Sequence, residues 1–139
     1  YVVQVVQTTT TTTVTVSANT VTATGLSLSI TPSSVNNKIL VIGSVNGVFS
    51  GAVNTGVNVD IFRGASSSDT KISDVQAFAS YNTASTDNQA NVPFCILDSP
   101  STTSAQTYSV FFNRSAGSGN AAVQQNSSES NLTLMEIAQ

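Results

Sequence analysis

The acidic side chains are the first candidates for chemistry in this chain, because the sequence contains no histidine. Without histidine, the usual general base, the Ser-His-Asp triad and the commonest metal ligand are all missing. Two carboxylates can still hydrolyse a glycosidic bond when a fold places them on either side of it. The candidates for such a pair are Asp60, Asp69, Asp74, Asp87, Asp98, Glu129 and Glu136.

Most of these acids lie in or near predicted turns, where an aspartate side chain bonds to its own backbone. Only Asp60 and Glu136 fall within predicted strands. The spacing of Asp69 and Asp74 does not match the spaced-acid loop that binds calcium. The sequence also has neither a Gly-x-Ser-x-Gly elbow nor a glycine-rich phosphate loop. We therefore predict no catalytic residue, no metal site and no cofactor, and a protein that is not an enzyme.

Cys95 is the only cysteine, so no disulfide can form within the chain. It lies in the apolar run 92–97, which predicts a buried thiol that reacts slowly. Tyr1, Tyr81 and Tyr108 could stack on sugar rings, as aromatic residues do in carbohydrate-binding modules. Because the chain has no tryptophan, we prefer to interpret these tyrosines as core or interface residues.

The charge pattern argues against two classes of partner. The net charge is −3, and the four cations Lys38, Arg63, Lys71 and Arg114 are scattered along the sequence. Nucleic-acid binders need clustered Lys and Arg to displace counterions from phosphates. Crossing a bilayer takes about 20 consecutive apolar residues, whereas the run 39–42 has the length of a strand. We predict neither nucleic-acid binding nor membrane insertion.

The composition favours strands over helices. Only 8% of the residues are charged, where an ordinary globular chain has about 25%, so Ser, Thr and Asn must supply most of the polar surface. These residues compete with helical backbone bonding, whereas Thr and the many Val residues favour strands. The 139 residues fit one domain with a core. We predict a single domain over 1–139, in which 1–13 is an extended N-terminal strand or arm. Because the chain starts at Tyr1 rather than Met, we expect a processed product or the end of a longer chain.

Alternating apolar residues, separated by turns every dozen residues or so, predict an antiparallel sandwich. The segment 26–30 alternates cleanly, 38–49 is the strongest apolar segment, and 81–91 is typical of a loop. Gly43 and Gly47 indicate bends or bulges. Eight or nine strands without helical periodicity favour an all-β, two-sheet antiparallel sandwich, with a jelly roll as the best match. Alternation predicts these buried strand residues: Leu26, Leu28, Ile30, Ile39, Val41, Val57, Val59, Ile61, Phe94, Ile96, Tyr108, Val110, Leu132 and Leu134.

Apolar residues outside the predicted core point to self-association. The Val-rich start of the chain is apolar on both faces, so its own sheet or a neighbouring subunit should cover it. On two later strands, Phe62 and Met135 fall on the face opposite the core, where an exposed apolar side chain favours a partner. Low charge also gives little repulsion between identical copies, so we predict a homo-oligomer, specifically a trimer. The alternative is a monomer whose first strand completes its own sandwich. The predicted interface residues are Val2, Val3, Val5, Val6, Phe62 and Met135.

A series of short motifs runs in order along nearly the whole chain. They are 3–7 followed by threonines, 24–34, 38–41, 97–100 with 102–104, 107–110, 113–115 and 132–138. Each motif is generic strand-and-turn sequence, but the ordered series resembles a domain of tailed-phage virion proteins, particularly in phages of aquatic bacteria. The middle segment, 66–91, departs most from that pattern, as a host-facing loop would.

The resemblance implies a trimeric β-domain at the tip of a fibre or on the capsid surface, made in the cytoplasm of a bacterial host and carried on the virion. Its implied partners are its own copies, other capsid or tail proteins, and a glycan or protein on the host surface. It implies no catalytic residues. One alternative is a carbohydrate-binding module of a secreted bacterial protein, against which the missing tryptophan counts. Another is a hydrolase that uses a carboxylate pair.

Overall fold

The computed structural model describes residues 1–76, 83 and 87–139, and the secondary structure in these ranges is almost entirely β. A short 3₁₀-like turn occupies Gln125–Ser127, with Asn126 in the left-handed region at φ +57°. Within the described residues, no helix is long and apolar enough to cross a membrane. The strands are β1 (Val2–Thr10), β2 (Val14–Val16), β3 (Thr22–Ile30), β4 (Lys38–Ser50), β5 (Gly56–Arg63), β6 (Thr70–Val75), β7 (Asn88–Asp98), β8 (Gln106–Ala116), β9 (Ala121–Val123) and β10 (Ser130–Ile137).

The long strands pair in a nested order. β5 pairs with β6, β4 with β7, β3 with β8 and β1 with β10, all antiparallel. The first sheet therefore runs β1, β10, β4, β7, with the short β9 and β2 continuing beside β4, and the second runs β3, β8, β5, β6. Nested ribbons folded into two facing sheets form a jelly roll. The predicted two-sheet antiparallel sandwich is confirmed.

The core lies between the two sheets and follows the predicted alternation. Of the predicted core residues, all but Leu28 and Ile96 are buried, and these two are half-buried against the core. An error of one residue would have placed the apolar side chains of a strand on the solvent face. Their burial therefore shows that period-2 alternation identified the inward positions correctly.

The two strand glycines serve different purposes. At Gly47 the register between β4 and β7 shifts and φ is +60°, so the predicted bulge is present. At Gly43 the register continues without a shift, and the predicted bend is wrong. A Cβ atom there would lie 2.2 Å from the carbonyl oxygen of Asn131 and 2.6 Å from the ring of Phe94. Gly43 therefore permits a close approach of backbone and ring.

The predicted loop at 81–91 needs one correction. β7 begins at Asn88, so the last four residues of that segment belong to a strand. β7 stays paired with β4 as far as Ser50, and its side chains point alternately to the core and to the surface. Residues 81, 82 and 84–86 lie outside the described residues.

Candidate interaction surface

β1 forms one edge of the first sheet. It pairs with β10 on one side, and on its other side the described residues contribute no strand. Edge strands usually carry a charge or a proline that discourages further pairing, and β1 contains neither. Among the described residues, β7 likewise pairs with β4 alone, but it carries Pro93. The β1 edge is therefore the less protected of the two.

Four apolar side chains stand in one row across the outer face of the first sheet. Val5 pairs with Met135, and Met135 with Leu40. Leu40 in turn pairs with Leu97 on β7. Cross-strand partners have Cβ atoms about 5 Å apart, so the row is continuous from β1 to β7. None of the four belongs to the core between the sheets.

Neighbouring rows extend this patch in both directions. Val2 pairs with Ile137 on one side of the row, and Ile42 pairs with Cys95 on the other. Val5 and Leu97 are 54% and 52% exposed. Lys38, beside Ile137, is the only charged residue at the outward positions described on these four strands. We call the following eight residues the apolar face: Val2, Val5, Leu40, Ile42, Cys95, Leu97, Met135 and Ile137.

The acids of β7 and β10 point away from the apolar face and into the molecule. Met135 and Ile137 flank Glu136, and Leu97 precedes Asp98. Since successive strand residues point to opposite sides, turning these apolar residues outward turns both acids inward. Glu136 is fully buried and Asp98 is 7% exposed.

Glu136 is held by neutral donors. Gln4 Nε2 donates to its Oε2 at 2.6 Å, and Asn37 Nδ2 donates to Oε1 at 2.7 Å. The amide nitrogen and Oγ of Ser33 each donate to Oε1 at 2.7 Å. Burial by itself raises the pKa of this carboxyl, but the hydrogen bonds outweigh it and lower the pKa of Glu136 to about 2. The ionised carboxylate thus joins β1, β10 and the loop between β3 and β4.

Asp98 joins the two sheets. Nε and Nη2 of Arg63 donate to its two oxygens, each at 2.8 Å, and the hydroxyl of Tyr108 donates to Oδ2 at 2.6 Å. Burial opposes ionisation, but the hydrogen bonds from Arg63 and Tyr108 lower the pKa of Asp98 below its usual range. Burial, and then the bond to Asp98, raise the pKa of the Tyr108 hydroxyl. Tyr108 is therefore a buried hydrogen-bond donor and cannot be a sugar-stacking platform.

The outer face of the second sheet carries charges instead. Asp60 and Asp74 are cross-strand partners, and Lys71 Nζ lies 3.3 Å from Asp60 Oδ1 and 3.7 Å from Asp74 Oδ2. The same ammonium lies 5.9 Å from the ring centroid of Phe62, which meets the ring of Phe111 edge-on at 5.5 Å. This arrangement is an ion-pair network over a packed aromatic pair.

Two sequence-based expectations about exposure are wrong. Phe62 lies on the strand face opposite the core, but it is only 4% exposed, because Phe111 and Lys71 pack against it. Cys95 was expected to be buried and is exposed, because its neighbours Phe94 and Ile96 take the inward positions of β7. The run around Cys95 is apolar on both faces of the strand, so apolar neighbours did not predict burial.

The described residues offer little for catalysis. They contain no group of three or more His, Cys, Asp or Glu side chains that could hold a metal ion, and no pocket is found among them. Asp98 and Glu136 are occupied by structural donors, and Asp60 and Asp74 share a lysine. Tyr1 is exposed, and Tyr81 lies outside the described residues.

Sequence reasoning found part of the apolar face. Of the predicted interface residues, Val2, Val5 and Met135 belong to it, and the exposed Val3 lies at the bulge between Val2 and Gln4. Val6 packs against the core instead. The unbroken apolar run 39–42 was the available signal for the rest, since a strand that is apolar on both sides is covered on both sides. The residues missed were Leu40, Ile42, Cys95, Leu97 and Ile137.

No protein-family model matches the sequence, and no curated protein matches it. Solved structures share the fold. The infectious bursal disease virus VP2 subviral particle aligns with a TM-score of 0.56 and 15% identity, over 95% of this chain and 32% of that chain. Infectious bursal virus derived T=1 particles align with a TM-score of 0.50 and 15% identity, over 99% and 37%. The chain thus spans about a third of the length of these proteins, and at this identity the likeness concerns the fold.

Proposed function

We propose that this domain is a non-enzymatic structural component of a virion. The observation that carries the proposal is the jelly roll, which aligns over 95% of the chain with a protein of a viral particle. The same fold serves many functions, so the chemistry of this chain must also agree. Asp98 and Glu136 are bound by structural donors, and the outer side of the first sheet carries the apolar face, as expected of a protein that assembles rather than catalyses.

The particle we propose is a tailed phage, with the domain on its outer surface as capsid decoration or as part of a fibre. The ordered motifs between residues 3 and 138 support this choice. Further partners would be other capsid or tail proteins and a glycan or protein on the host surface. Segment 66–91 is the proposed host-facing part.

Immunogold electron microscopy of purified phage particles tests the location. Antibodies raised against this chain should label intact particles, on the capsid for a decoration protein and at the tail tip for a fibre protein. Particles stripped of tails would serve as the control that separates the two sites. Absence of the chain from both intact and disrupted particles, checked by mass spectrometry, would refute the virion assignment.

We further propose that the chain forms a homotrimer. Its 8% content of charged residues and the unprotected edge of β1 support self-association. Light scattering at increasing concentration should give three times the mass of one chain. A mass of two chains at saturation would contradict the trimer without contradicting the virion assignment.

Host attachment is tested separately. The purified chain, applied to host cells and to an array of bacterial surface glycans, should bind one surface component. Exchanging segment 66–91 for that of a relative with a different host should change the component bound. Binding that survives this exchange would place the attachment site elsewhere.

A further inference from the structure

We infer that β1 is exchanged between copies, so that in the oligomer β1 of one copy pairs with β10 of the next. The inference deepens the proposed homotrimer by naming the segment that joins the copies, and it rests on that proposal for their number. It starts from the pairing of β1. Among the described residues β1 pairs with β10 alone, so releasing it from β10 breaks no other strand pairing.

Gln124 marks the point at which β1 can separate from the rest of the fold. This residue is fully buried, and its Nε2 donates to the carbonyl oxygens of Thr12 at 2.9 Å and Thr24 at 2.7 Å. Thr13 Oγ1 donates to the backbone oxygen of Gln124 at 2.6 Å, and Ser130 Oγ donates to its Oε1 at 2.8 Å. The chain is therefore anchored from Thr12 onward. We call residues 1–11, which precede this anchor, the exchange segment.

The exchange segment is less buried than the strand on which it lies. No residue of β1 is fully buried, and residues 11–13, which follow it, are exposed and belong to no strand. Most of β10 is buried, with Leu132 and Leu134 inside the core. Elements with few buried apolar contacts open at a lower free energy than core strands. The exchange segment should therefore leave β10 without unfolding the sandwich.

The place that β1 leaves on β10 selects a specific replacement. Gln4 Nε2 donates to Oε2 of the fully buried Glu136 at 2.6 Å and to the carbonyl oxygen of Thr31 at 2.7 Å. Gln7 Nε2 donates to Thr133 Oγ1 at 2.9 Å. Without β1, a buried carboxylate loses a donor and the backbone groups along β10 lose their partners, and both losses are unfavourable. A second copy carries the same glutamines in the same register, so its β1 restores every one of these contacts. This match identifies the occupant as another copy of the chain.

The geometry of exchange agrees with a ring of three. The contact joins β1 of one copy to β10 of the next, so the two surfaces that meet are different, and a ring of three copies can close such a contact. When extended, residues 1–11 reach about 35 Å at about 3.3 Å per residue, which is close to the diameter of a domain of this size. The β-branched threonines at 8–11 favour the extended backbone that this reach requires.

Single-cysteine variants distinguish exchanged chains from closed ones. Val5 and Met135 are cross-strand partners, at a spacing that a disulfide can bridge. In chains whose only native cysteine is removed by Cys95→Ser, Val5→Cys and Met135→Cys are made separately, mixed, unfolded in urea and refolded together at high concentration. Mild oxidation should then link the two variants, because β1 of one chain lies on β10 of the other. Mass spectrometry of the linked peptides identifies the joined positions, and light scattering gives the mass of the assembly.

Two controls keep the result interpretable. Val53→Cys mixed with Met135→Cys reports chance collision, because Val53 is exposed but lies in the loop between β4 and β5. The Val5–Met135 link should exceed this background at least about tenfold, since exchange holds the two thiols together. A single chain that carries both Val5→Cys and Met135→Cys, refolded in dilute solution, should close within itself and so verifies folding and spacing. Thr9→Cys and Asn131→Cys, another cross-strand pair, repeat the test at independent positions.

Four outcomes decide the inference. Links between the mixed variants above background, with a mass of three chains, support it. The same links with a mass of two chains support the exchange and contradict the homotrimer. A mass of three chains without links above background overturns the exchange and leaves the homotrimer standing. A mass of one chain at every concentration, without links, overturns both and leaves the virion assignment standing.

Discussion

The outer faces of the two sheets of this sandwich differ in whether their apolar side chains are covered by other residues of the chain. On the second sheet, Phe62 points away from the core but is covered by Phe111 and by Lys71, which also pairs with Asp60. On the first sheet, Leu97 also points away from the core, and half of its surface remains exposed. An outward apolar residue therefore indicates a partner only when nothing in its own chain covers it. Phe62 and Leu97 both occupy outward positions in apolar strand sequence, and only the cover provided by neighbouring residues distinguishes them.

Replacing Phe62 by alanine should give the largest effect. We expect the free energy of unfolding to fall by about 3–5 kcal/mol, because a buried ring is removed. Leu97→Ala is the matched variant on the other sheet and should change it by no more than about 0.5 kcal/mol. Urea unfolding in dilute protein measures both. Equal small losses would show that Phe62 is no better covered than Leu97.

Glu136→Gln should be next in size. Glutamine keeps the shape of the side chain, but its amide NH₂ group would face donors from Gln4, Ser33 or Asn37. The hydrogen bonds to the negatively charged carboxylate are therefore lost. The expected loss of unfolding free energy is about 2–3 kcal/mol. Glu129→Gln is the control, since Glu129 is exposed. A loss no larger than that of the control would mean that the acid does not fix the strand that presents Met135 and Ile137.

The pH dependence of stability tests the same site. Glu136 has a folded pKa of about 2, below its ordinary value of 4.5, and the pKa of Asp98 is also lowered. The unfolded chain therefore binds protons more readily, so both acids stabilise the fold fully above pH 4.5 and lose this contribution as the pH falls towards 2. Unfolding curves across this range should show the decline, and Glu136→Gln should flatten it. An equally steep decline in that variant would assign the pH dependence to other groups.

Lys71→Met should produce the smallest loss. The ammonium is partly exposed and separates Asp60 from Asp74, so its removal should cost about 1 kcal/mol, and added salt should reduce that cost. Lys38→Met, at the margin of the apolar face, should leave stability unchanged because no ion pair is found for Lys38 among the described residues. Thermal unfolding at low and high salt measures the difference. A loss that does not depend on salt would indicate that Lys71 acts by packing on Phe62.

Much of the fold was predictable because its signals are local. Alternation along Leu26–Ile30 or Val57–Ile61 shows which residues share a face, whatever strand lies beside them. The absence of histidine and the scarcity of charge were likewise visible without a structure. Gly43 was misjudged because its role depends on the backbone of Asn131, which is distant in sequence. Cys95 was misjudged because its run is apolar on both faces of the strand, so only the folded sandwich decided that Phe94 and Ile96 point inward.

The sequence by itself determined an all-β sandwich and nearly all of its core, since a period of two is written into consecutive residues. Only the tertiary structure decided which outward residues meet. Val5, Leu40, Leu97 and Met135 are separated by dozens of residues, and the nested pairing of β1, β10, β4 and β7 brings them into one row. Exposure of an outward side chain depends on what folds over it, and that is set by pairing between distant segments, which no local pattern encodes.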